Sequence, residues 1–151
     1  MTSGITVRPA TAADDDAVLD LIEELLEPPG ARPPGYTRER ARQAFRWAVE
    51  NPNADVLLAV AGDRAVGLAS LYLDFPSIRY GWRCWLQDLV VAAPERSRGI
   101  GKLLLDAATR WARQRGCTHL ELGSGIGRID AHRFYLREGL TQGFTFQRGI
   151  E

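Results

Sequence analysis

The fold of this chain is decided by the run Leu86-Gln87-Asp88-Leu89-Val90-Val91, which leads through Pro94 to Arg96-Ser97-Arg98-Gly99-Ile100-Gly101. The first six residues are mostly apolar and predict a strand. The glycine-containing turn after them leads into a helix expected from about Gly99 to Arg115, whose apolar residues form one stripe. The stretch therefore predicts a strand, a loop and a long helix in direct succession.

The turn between this strand and this helix is typical of an anion-binding site. Such a turn exposes several backbone N–H groups at the positive end of the helix, which favours a pyrophosphate or a similar anion. Gly99 and Gly101 would let the backbone approach the anion closely. Arg96 and Arg98 would add charge-assisted hydrogen bonds. The alternative is a surface turn whose arginines face water, and the spacing alone favours neither interpretation.

The rest of the chain predicts helices and strands on both sides of this unit. The expected strands are Ile5–Arg8, Val56–Ala61, Ala65–Phe75, Trp85–Val91, Thr118–Leu122 and Phe144–Gln147. Four helices are expected. One begins after Thr11, one begins at Thr37, one runs from about Gly99 to Arg115, and one spans Asp130–Arg137. The order is β-α-α-β-β-β-α-β-α-β, with antiparallel hairpins first and βαβ units later. It predicts an α/β protein in which helices cover both faces of a mixed sheet.

Length, charge and cysteine content limit the class of protein. The 151 residues suit one domain, residues 1–151. The 19 Lys+Arg against 19 Asp+Glu leave no basic excess for a nucleic-acid binder. No segment reaches the ~18 apolar residues of a membrane span. Cys84 and Cys117 form no metal-ligand pattern, so no metal is expected, and two lone thiols fit a cytoplasmic location.

Two motifs in this order resemble those of the Gcn5-related N-acetyltransferases, abbreviated GNAT. The strand and Arg96-x-x-Gly99-x-Gly101 resemble the family's motif A, and Ala131-x-x-Phe134-Tyr135-x-x-x-Gly139 resembles its motif B. The resemblance implies a GNAT-like three-layer α/β fold with acetyl-CoA as cosubstrate. It also implies an enzyme in which the acceptor amine attacks the thioester directly, without a covalent intermediate.

The same resemblance implies where acetyl-CoA would bind. Its pantetheine arm would lie in the cleft where the strand before motif A parts from the strand Thr118–Leu122. A main-chain N–H near Val90 would polarise the thioester carbonyl. Arg128 stands where the family often has Asn, which changes one cofactor contact. The cofactor-binding residues expected on this basis are Leu89, Val90, Val91, Arg96, Ser97, Arg98, Gly99, Ile100, Gly101, Lys102, Arg128 and His132.

Three residues are the candidates for catalysis. An amine with a pKa of ~10.4 is about one part in a thousand neutral at pH 7, so a base is needed. Asp88 is the candidate base and Gln87 its polar neighbour, although only one of them can face the acceptor unless a bulge intervenes. By resemblance, Tyr135 stands at the position of the family's general acid. Alternatives stay open: Asp88 could have a structural role, Tyr135 could be a core aromatic, and His132 could be the base.

The class of acceptor follows from a finer resemblance. The segment from Arg128 to Gly139, together with Gln87 and the acid at position 88, resembles the aminoalkylphosphonate N-acetyltransferase subgroup. Those enzymes acetylate small primary amines that bear an anionic group. A polycationic aminoglycoside would instead need carboxylates, and few are present. The candidate substrate-binding residues are Trp82, Trp85, Arg79 and Tyr72, with Tyr80, Arg83 and Arg148 nearby; the aromatic ones could equally belong to the core.

Several alternatives remain at this point. One is a non-catalytic acyl-CoA binding or sensing module, and another is a protein or peptide N-acetyltransferase. A nicotinamide or flavin oxidoreductase is a third, drawn from the glycines of Gly123–Gly127, although Arg128 stands where the last glycine of that fingerprint belongs. Because one strand is expected after motif B where GNAT enzymes commonly have two, a second copy could cover the open sheet edge and form a homodimer.

Overall fold

The computed structural model describes residues 4–150. The strands are β1 Ile5–Pro9, β2 Ala54–Ala61, β3 Arg64–Ser77, β4 Gly81–Val91 and β5 His119–Leu122. The helices are α1 Asp15–Leu25, α2 Arg38–Glu50, α3 Ile100–Gln114 and α4 Ile129–Arg137, with 3-10 turns at Ala12–Asp14 and Ala93–Glu95. The predicted order of elements is observed as far as α4.

The strands form one mixed sheet in the order β1-β2-β3-β4-β5. Neighbours from β1 to β4 are antiparallel, whereas β5 joins β4 in parallel, with α3 between them in the chain. A strand that is covered on both faces needs apolar residues on both sides, and β2 accordingly consists largely of buried apolar residues. The predicted α/β architecture is confirmed.

Each face of the sheet has its own apolar core. On one face the stripe of α3, including Ile100, Leu104 and Trp111, packs on β2, β3 and β4. On the other face Val18 of α1 and Phe45 of α2 pack on alternate residues of the same strands. We call these the α3 face and the α1/α2 face. Because burying each such side chain contributes roughly 1.5–3 kcal/mol, the two layers fix the sheet on which the site is built.

The helix ends follow local sequence signals. Thr37 caps α2, and its Oγ1 accepts the Arg40 N–H at 3.1 Å. Gly116, with φ 74°, follows α3 in the left-handed conformation expected of it. Proline cannot continue a helix, and α1 ends just before Pro28 and Pro29.

The structure differs from the sequence prediction at Phe144–Gln147, the expected last strand. Residues 141–150 are exposed and have no regular secondary structure. Within residues 4–150, no backbone hydrogen bond joins this segment to the sheet. The alternation of Phe144 and Phe146 is strand-like, but a strand is stable only when a neighbour pairs with it. The sheet therefore ends at β5, whose outer edge is open.

Three further features bear on other classes of function. In residues 4–150 no helix is long and apolar enough to cross a bilayer. In the same range no cluster of three His, Cys, Asp or Glu side chains is arranged to hold a metal ion. Both cysteines are free thiols, and burial raises the pKa of Cys84 to about 12, so this thiol stays protonated and unreactive.

Candidate active site

The strand β4 loses one of its two neighbours halfway along its length. It pairs with β5 only from Arg83 to Leu86, where β5 ends at Leu122. From Gln87 to Val91 it keeps β3 on one side, while its other edge meets no strand in the described chain. Alternate N–H and C=O groups along that edge are free to bind an extended ligand. This is the parting of strands that the resemblance implied.

A β-bulge lies at the point where the strands part. Ser70 of β3 is opposite Asp88, whereas the next residue, Leu71, is opposite Leu86. Gln87 is therefore an extra residue in β4. Such an insertion locally shifts the alternation of side chains along the strand, which is the condition that the sequence analysis set for both polar residues to face one side.

The bulge decides which face of the sheet each side chain meets. Leu86 and Leu89 both pack on the α3 face, although they are an odd number of residues apart. Gln87 and Asp88 accordingly both lie on the α1/α2 face. There Trp85 Nε1 donates to Gln87 Oε1 at 2.6 Å. The two polar residues of β4 thus share one side of the sheet.

Asp88 is a largely buried carboxylate with a hydroxyl partner. Ser70 Oγ donates to its Oδ2 at 2.6 Å, and Ser70 is itself buried. Burial raises the pKa of Asp88, while the Ser70 hydroxyl and the charge of Arg128 oppose the rise. A carboxyl group with a raised pKa beside a cleft is a candidate general base. Ser70 was not among the predicted site residues, and its only signal in the sequence is that it is a lone polar residue between Val66 and Leu71.

The loop after β4 presents a row of backbone N–H groups. In residues 4–150, the N–H groups of residues 97–102 have no hydrogen-bond acceptor. Gly99 (φ 83°) and Ser97 (φ 63°) adopt the left-handed conformation, which is uncommon for a residue with a Cβ and clusters at functional sites. The row lies at the N-terminus of α3, where the helix dipole adds positive potential. The arrangement suits a diphosphate.

Arg96 is anchored to the loop, although its side chain remains more than half exposed. Its Nε donates to the Val91 carbonyl at 3.0 Å, and its Nη2 lies 3.4 Å from the Glu24 carboxylate of α1. The same carboxylate accepts the Ala93 N–H at 2.6 Å. Glu24 thus joins the end of α1 to the start of the loop. This contact was not predictable from the sequence, because its partners are far apart in the chain.

Arg98 and Lys102 also have carboxylate partners. The buried Glu95 accepts from Arg98 and, at 3.0 Å, from Arg64. Lys102 of α3 lies 3.5 Å from Glu138, which directly follows α4. The side chains of Arg98 and Lys102 are nevertheless at least half exposed, so they still add positive potential around the row of N–H groups.

Three expected site residues share one face of α4. Arg128, His132 and Tyr135 follow each other at spacings of four and three residues. Burial raises the pKa of the Tyr135 phenol, and the charge of Arg128 opposes the rise, so the phenol keeps its proton at neutral pH. The neighbouring Phe134 packs on α3, where a Cβ added at Gly101 would lie 3.4 Å from its ring. Gly101, expected to admit an anion, therefore faces α4.

Arg128 ties the start of α4 to the end of α1. Its Nη2 donates to the Leu25 carbonyl at 2.9 Å. Gly30 lies so close that a Cβ there would come within 2.5 Å of the same nitrogen. The charge of Arg128 also acts on the pKa values of Asp88 and Tyr135, so its guanidinium lies near both. The residue that sequence analysis assigned to the cofactor holds the segment between α1 and α2.

Two adjoining cavities that share Asp74 lie beside the bulge. The first has a volume of about 510 Å³ and is lined by Trp47, Asn51, Asn53, Tyr72, Leu73, Asp74, Trp85 and Gln87. The second has a volume of about 620 Å³ and is lined by Asp74, Ser77, Ile78, Arg79, Tyr80, Arg83, His119 and Glu121. Of the expected substrate-binding residues, Tyr72 and Trp85 line the first cavity and Arg79 the second. Trp82 lines neither.

Most of the charge in these cavities is already paired. Arg83 Nε donates to Asp74 at 2.8 Å, and its Nη1 donates to Glu121 at 2.9 Å. Arg79 donates instead to the Tyr80 hydroxyl at 2.5 Å. Among the ion pairs of residues 4–150, none includes Arg79. Arg79 is therefore the cavity cation whose charge is left to bind an anion.

Residues 18–140 match the family model described as the acetyltransferase (GNAT) family. The chain belongs to the GNAT family. GNAT enzymes use acetyl-CoA, and this member is an N-acetyltransferase. The family expected from motifs A and B is confirmed. The oxidoreductase alternative is overturned, since the glycines of Gly123–Gly127 lie in an irregular loop between β5 and α4 of an acetyltransferase.

Three proteins show what this GNAT chain is similar to. It is 40% identical over 149 residues to an aminoalkylphosphonate N-acetyltransferase of Salmonella typhimurium, covering 95% of this chain and 90% of that protein. It is 31% identical over 153 residues to an aminoglycoside N(6')-acetyltransferase type 1 of Klebsiella aerogenes, covering 94% and 93%. The solved structure of an aminoglycoside N-acetyltransferase in complex with CoA has a TM-score of 0.82 at 17% identity, covering 96% and 94%, which shows the shared fold.

Proposed function

We propose that this acetyltransferase transfers the acetyl group of acetyl-CoA directly to the primary amine of a small molecule that carries an anionic group, with residues 1–151 acting as one domain. The observation that carries the proposal is the succession of the open half of β4 and the unpaired N–H groups of residues 97–102. The strand edge suits the extended thiol arm of acetyl-CoA. The row of N–H groups suits its diphosphate.

The residues of this surface have distinct tasks in the proposal. Leu89, Val90 and Val91 supply the strand edge, and the segment Arg96–Lys102 supplies the anion-binding amides with its basic side chains around them. His132 contributes from the face of α4 that also carries Tyr135. Arg128 acts indirectly, by positioning the end of α1, because its guanidinium donates a hydrogen bond to the Leu25 carbonyl.

The transfer needs a base, a donor to the carbonyl oxygen and an acid. Acetyl-CoA supplies the acetyl group as a thioester. Forming the neutral amine costs about 4–5 kcal/mol at pH 7, and Asp88, with its raised pKa, takes the proton. A free N–H near Val90 donates to the carbonyl oxygen as charge develops there. The amine nitrogen then bonds to the acetyl carbon, the C–S bond breaks, and Tyr135 donates its phenolic proton to the departing sulfur. The proton that the nitrogen loses as it becomes an amide returns to the Tyr135 oxygen and restores the phenol.

The acceptor occupies the two adjoining cavities in this proposal. Tyr72 and Trp85 wall the first cavity, and Gln87 orients the amine beside Asp88. The anionic group reaches Arg79 in the second cavity, since no carboxylate neutralises that side chain in the described residues. The similarity to the Salmonella typhimurium aminoalkylphosphonate enzyme supports this class of acceptor.

A polycationic aminoglycoside is disfavoured by the charges of the same cavities. Asp74 and Glu121 are the carboxylates that could bind its ammonium groups, and both are paired with Arg83. A partly exposed ion pair with Arg83 would have to be broken to free either of them. The aminoglycoside enzyme of Klebsiella aerogenes shares 31% identity with this chain, which makes this acceptor class a necessary comparison.

The test is release of the CoA thiol from acetyl-CoA across a panel of acceptors. The panel contains aminoalkylphosphonates, the same alkylamines without the phosphonate, polyamines, aminoglycosides and peptides. We expect the highest kcat/KM with an aminoalkylphosphonate, and a loss of at least tenfold when the phosphonate is removed, because a charge-assisted pair contributes on the order of 1.5–3 kcal/mol.

Two further results decide between the alternatives. Arg79→Gln is expected to raise KM for the phosphonate substrate while leaving KM for acetyl-CoA and for the plain alkylamine unchanged. Binding of acetyl-CoA without turnover of any acceptor would support the sensing module and overturn the proposal. Preferred turnover of peptides or of aminoglycosides would overturn the proposed class of acceptor, a small amine with an anionic group, but not the proposed acetyl transfer.

A further inference from the structure

Two carboxylates attach the loop between β4 and α3, residues 92–99, to the rest of the protein. The buried Glu95 lies near the middle of the loop and accepts from Arg64 of β3 at 3.0 Å. Glu24 of α1 contacts the start of the loop. The N–H groups of residues 97–102 follow both attachments in the chain, so the two carboxylates determine where that row of N–H groups lies.

The contact at the start of the loop is a backbone cap supplied by a distant helix. Ala93 opens the 3-10 turn Ala93–Glu95, and its N–H has no backbone acceptor in residues 4–150. Glu24 Oε1 accepts this N–H at 2.6 Å. The first N–H groups of a helical turn are usually capped by a side chain close in sequence, whereas this cap comes from 69 residues earlier in the chain. It is a charge-assisted hydrogen bond, which is stronger than a neutral one.

The same carboxylate also pairs with Arg96, but this second contact is the weaker one. Arg96 Nη2 lies 3.4 Å from Glu24 Oε1, and the two side chains are 55% and 31% exposed. Ion pairs with that much exposure contribute little to stability. The bond from the Ala93 N–H is therefore the main link between α1 and the loop.

Charge alone does not explain a carboxylate at this place. Arg96 is one of the basic side chains around the row of N–H groups, and Glu24 partly neutralises it. A carboxylate close to a diphosphate also repels it, since like charges repel and solvent screens a partly buried group only in part. Glu24 would therefore weaken anion binding if it acted through its charge only. Its favourable effect must come from the loop that it holds.

We propose that Glu24 is a positioning residue for the diphosphate of acetyl-CoA, because it fixes the start of the loop so that the N–H groups of residues 97–102 are in place before the cofactor binds. The inference rests on the proposed function, in which those groups bind the diphosphate. A site that is ordered in advance avoids the free-energy cost of ordering on binding. The end of α1 is a firm support, since Val18 packs in the core and Arg128 donates to the carbonyl of Leu25.

The first test measures the Kd for CoA by calorimetry with the full chain. Glu24→Ala removes the acceptor of the Ala93 N–H, and we expect the Kd to rise by roughly tenfold, as for the loss of a charge-assisted hydrogen bond. Glu24→Gln keeps an oxygen that accepts this N–H and removes the negative charge, so it should bind CoA at least as tightly as the parent chain. An unchanged or lower Kd in Glu24→Ala overturns the proposal, and so does a Glu24→Gln variant that binds as weakly as Glu24→Ala.

The preceding residue of α1 provides the matched control. Glu23 pairs with Arg38 of α2 at 2.8 Å and accepts from the Tyr36 hydroxyl at 3.2 Å. Glu23→Ala therefore removes a carboxylate and an ion pair from the same helix without touching the loop, and the Kd for CoA should stay at the parent value. Thermal unfolding confirms that each variant is folded at the temperature of the titration. Equal weakening by Glu23→Ala and Glu24→Ala would show a general effect of α1 and overturn the proposal.

The second test compares two acetyl donors, acetyl-CoA and S-acetylpantetheine, which has the same thioester arm and no diphosphate. Glu24→Ala should raise KM for acetyl-CoA and leave kcat/KM for S-acetylpantetheine unchanged, because only the first donor uses the loop. A merely structural role would lower kcat/KM for both donors equally, and that result overturns the proposal.

Failure of this inference and failure of the proposed function give different results. A parent chain that does not bind CoA would overturn the proposed function and the role of Glu24 with it. A parent chain that binds CoA, together with a Glu24→Ala variant that binds it equally well, would overturn the role of Glu24 alone.

Discussion

Ser70 Oγ donates a hydrogen bond to Asp88 Oδ2 at 2.6 Å across β3 and β4, directly beside the bulged residue Gln87. The bond joins a buried hydroxyl to the carboxylate that we assign as the base. It stabilises the ionised form of that carboxylate against the effect of burial. Ser70 therefore positions Asp88 and also adjusts the pH range in which it accepts a proton.

Ser70→Ala should move the acid limb of the kcat/KM profile to higher pH. The hydroxyl lowers the pKa of Asp88, so its loss raises that pKa and protonates the base over a wider range. The measurement is kcat/KM against pH for the parent, Ser70→Ala and Ser70→Thr, which keeps a hydroxyl. An unshifted profile in Ser70→Ala would show that Ser70 does not influence the protonation of Asp88.

Asp88→Asn should reduce kcat by about 10²–10⁴-fold, the usual contribution of a general base, while stabilising the fold at neutral pH. Burial raises the pKa of Asp88 in the folded state above the ordinary value of 3.8 that it has in an unfolded chain. The folded state therefore keeps its proton where the unfolded chain has lost it, and stability falls as pH rises through this window. Urea unfolding of the variant should show a higher free energy than the parent at pH 7, with the difference shrinking toward pH 4. Asp63 is exposed, and the control Asp63→Asn should neither reduce kcat nor raise the free energy of unfolding.

Tyr135→Phe should lower kcat by on the order of 10²-fold and leave the Kd for acetyl-CoA unchanged. In the proposed mechanism, the substitution removes the proton that the departing sulfur receives, and it keeps the aromatic ring on α4. Calorimetry with CoA and single-turnover kinetics separate binding from transfer. Equal losses in binding and turnover would indicate that Tyr135 is a packing residue.

Gly30→Ala should destabilise the protein by about 1–3 kcal/mol, the usual cost of overpacking. The added Cβ would overlap the Leu25 carbonyl and lie within 2.5 Å of Arg128 Nη2. Either the bond between Leu25 and Arg128 breaks or the segment after α1 moves away. Denaturant unfolding provides the measurement. Gly127→Ala, with no heavy atom within 4 Å of the new Cβ, should change stability little.

Asp14→Asn should destabilise the protein at neutral pH and not at strongly acidic pH. Arg8 donates two bonds of 2.9 Å to the Asp14 carboxylate, which lowers the pKa of Asp14 from 3.8 to about 2. A lowered pKa contributes stability above 3.8 that is lost as pH falls toward about 2. Thermal unfolding from pH 7 to pH 2 should show the difference between parent and variant vanish. A difference that persists at pH 2 would contradict an ionic cause.

The fold was largely predictable because its signals are local. The apolar stripe of α3, the cap at Thr37 and the glycine at 116 act within one turn of helix. The strand-loop-helix unit around Gly99 was predicted for the same reason. Phe144–Gln147 has an equally good local pattern but no partner within the described chain, and a local pattern contains no information on whether a neighbouring strand is available to pair with it.

The site was less predictable because several of its contacts are long-range. Gln87 and Asp88 were identified as polar residues of a strand, yet their common orientation depends on how β4 registers against Ser70. Glu24 meets the loop from α1, and Arg128 meets α1 from the other end of the chain. These contacts exist only once the elements are packed, so no spacing in the sequence signals them.

The extra residue in β4 gives this strand one more side chain on the α1/α2 face than a regular ladder would have. Deleting Gln87 would place Leu86 directly before Asp88, opposite Leu71 and Ser70, and both residues would keep the faces of the sheet that they now occupy. The core beneath α3 would therefore be retained, while the first cavity would lose the Gln87 side chain and its hydrogen bond with Trp85 Nε1. The bulge thus adds a polar group to one face of the sheet without disturbing the packing of the other.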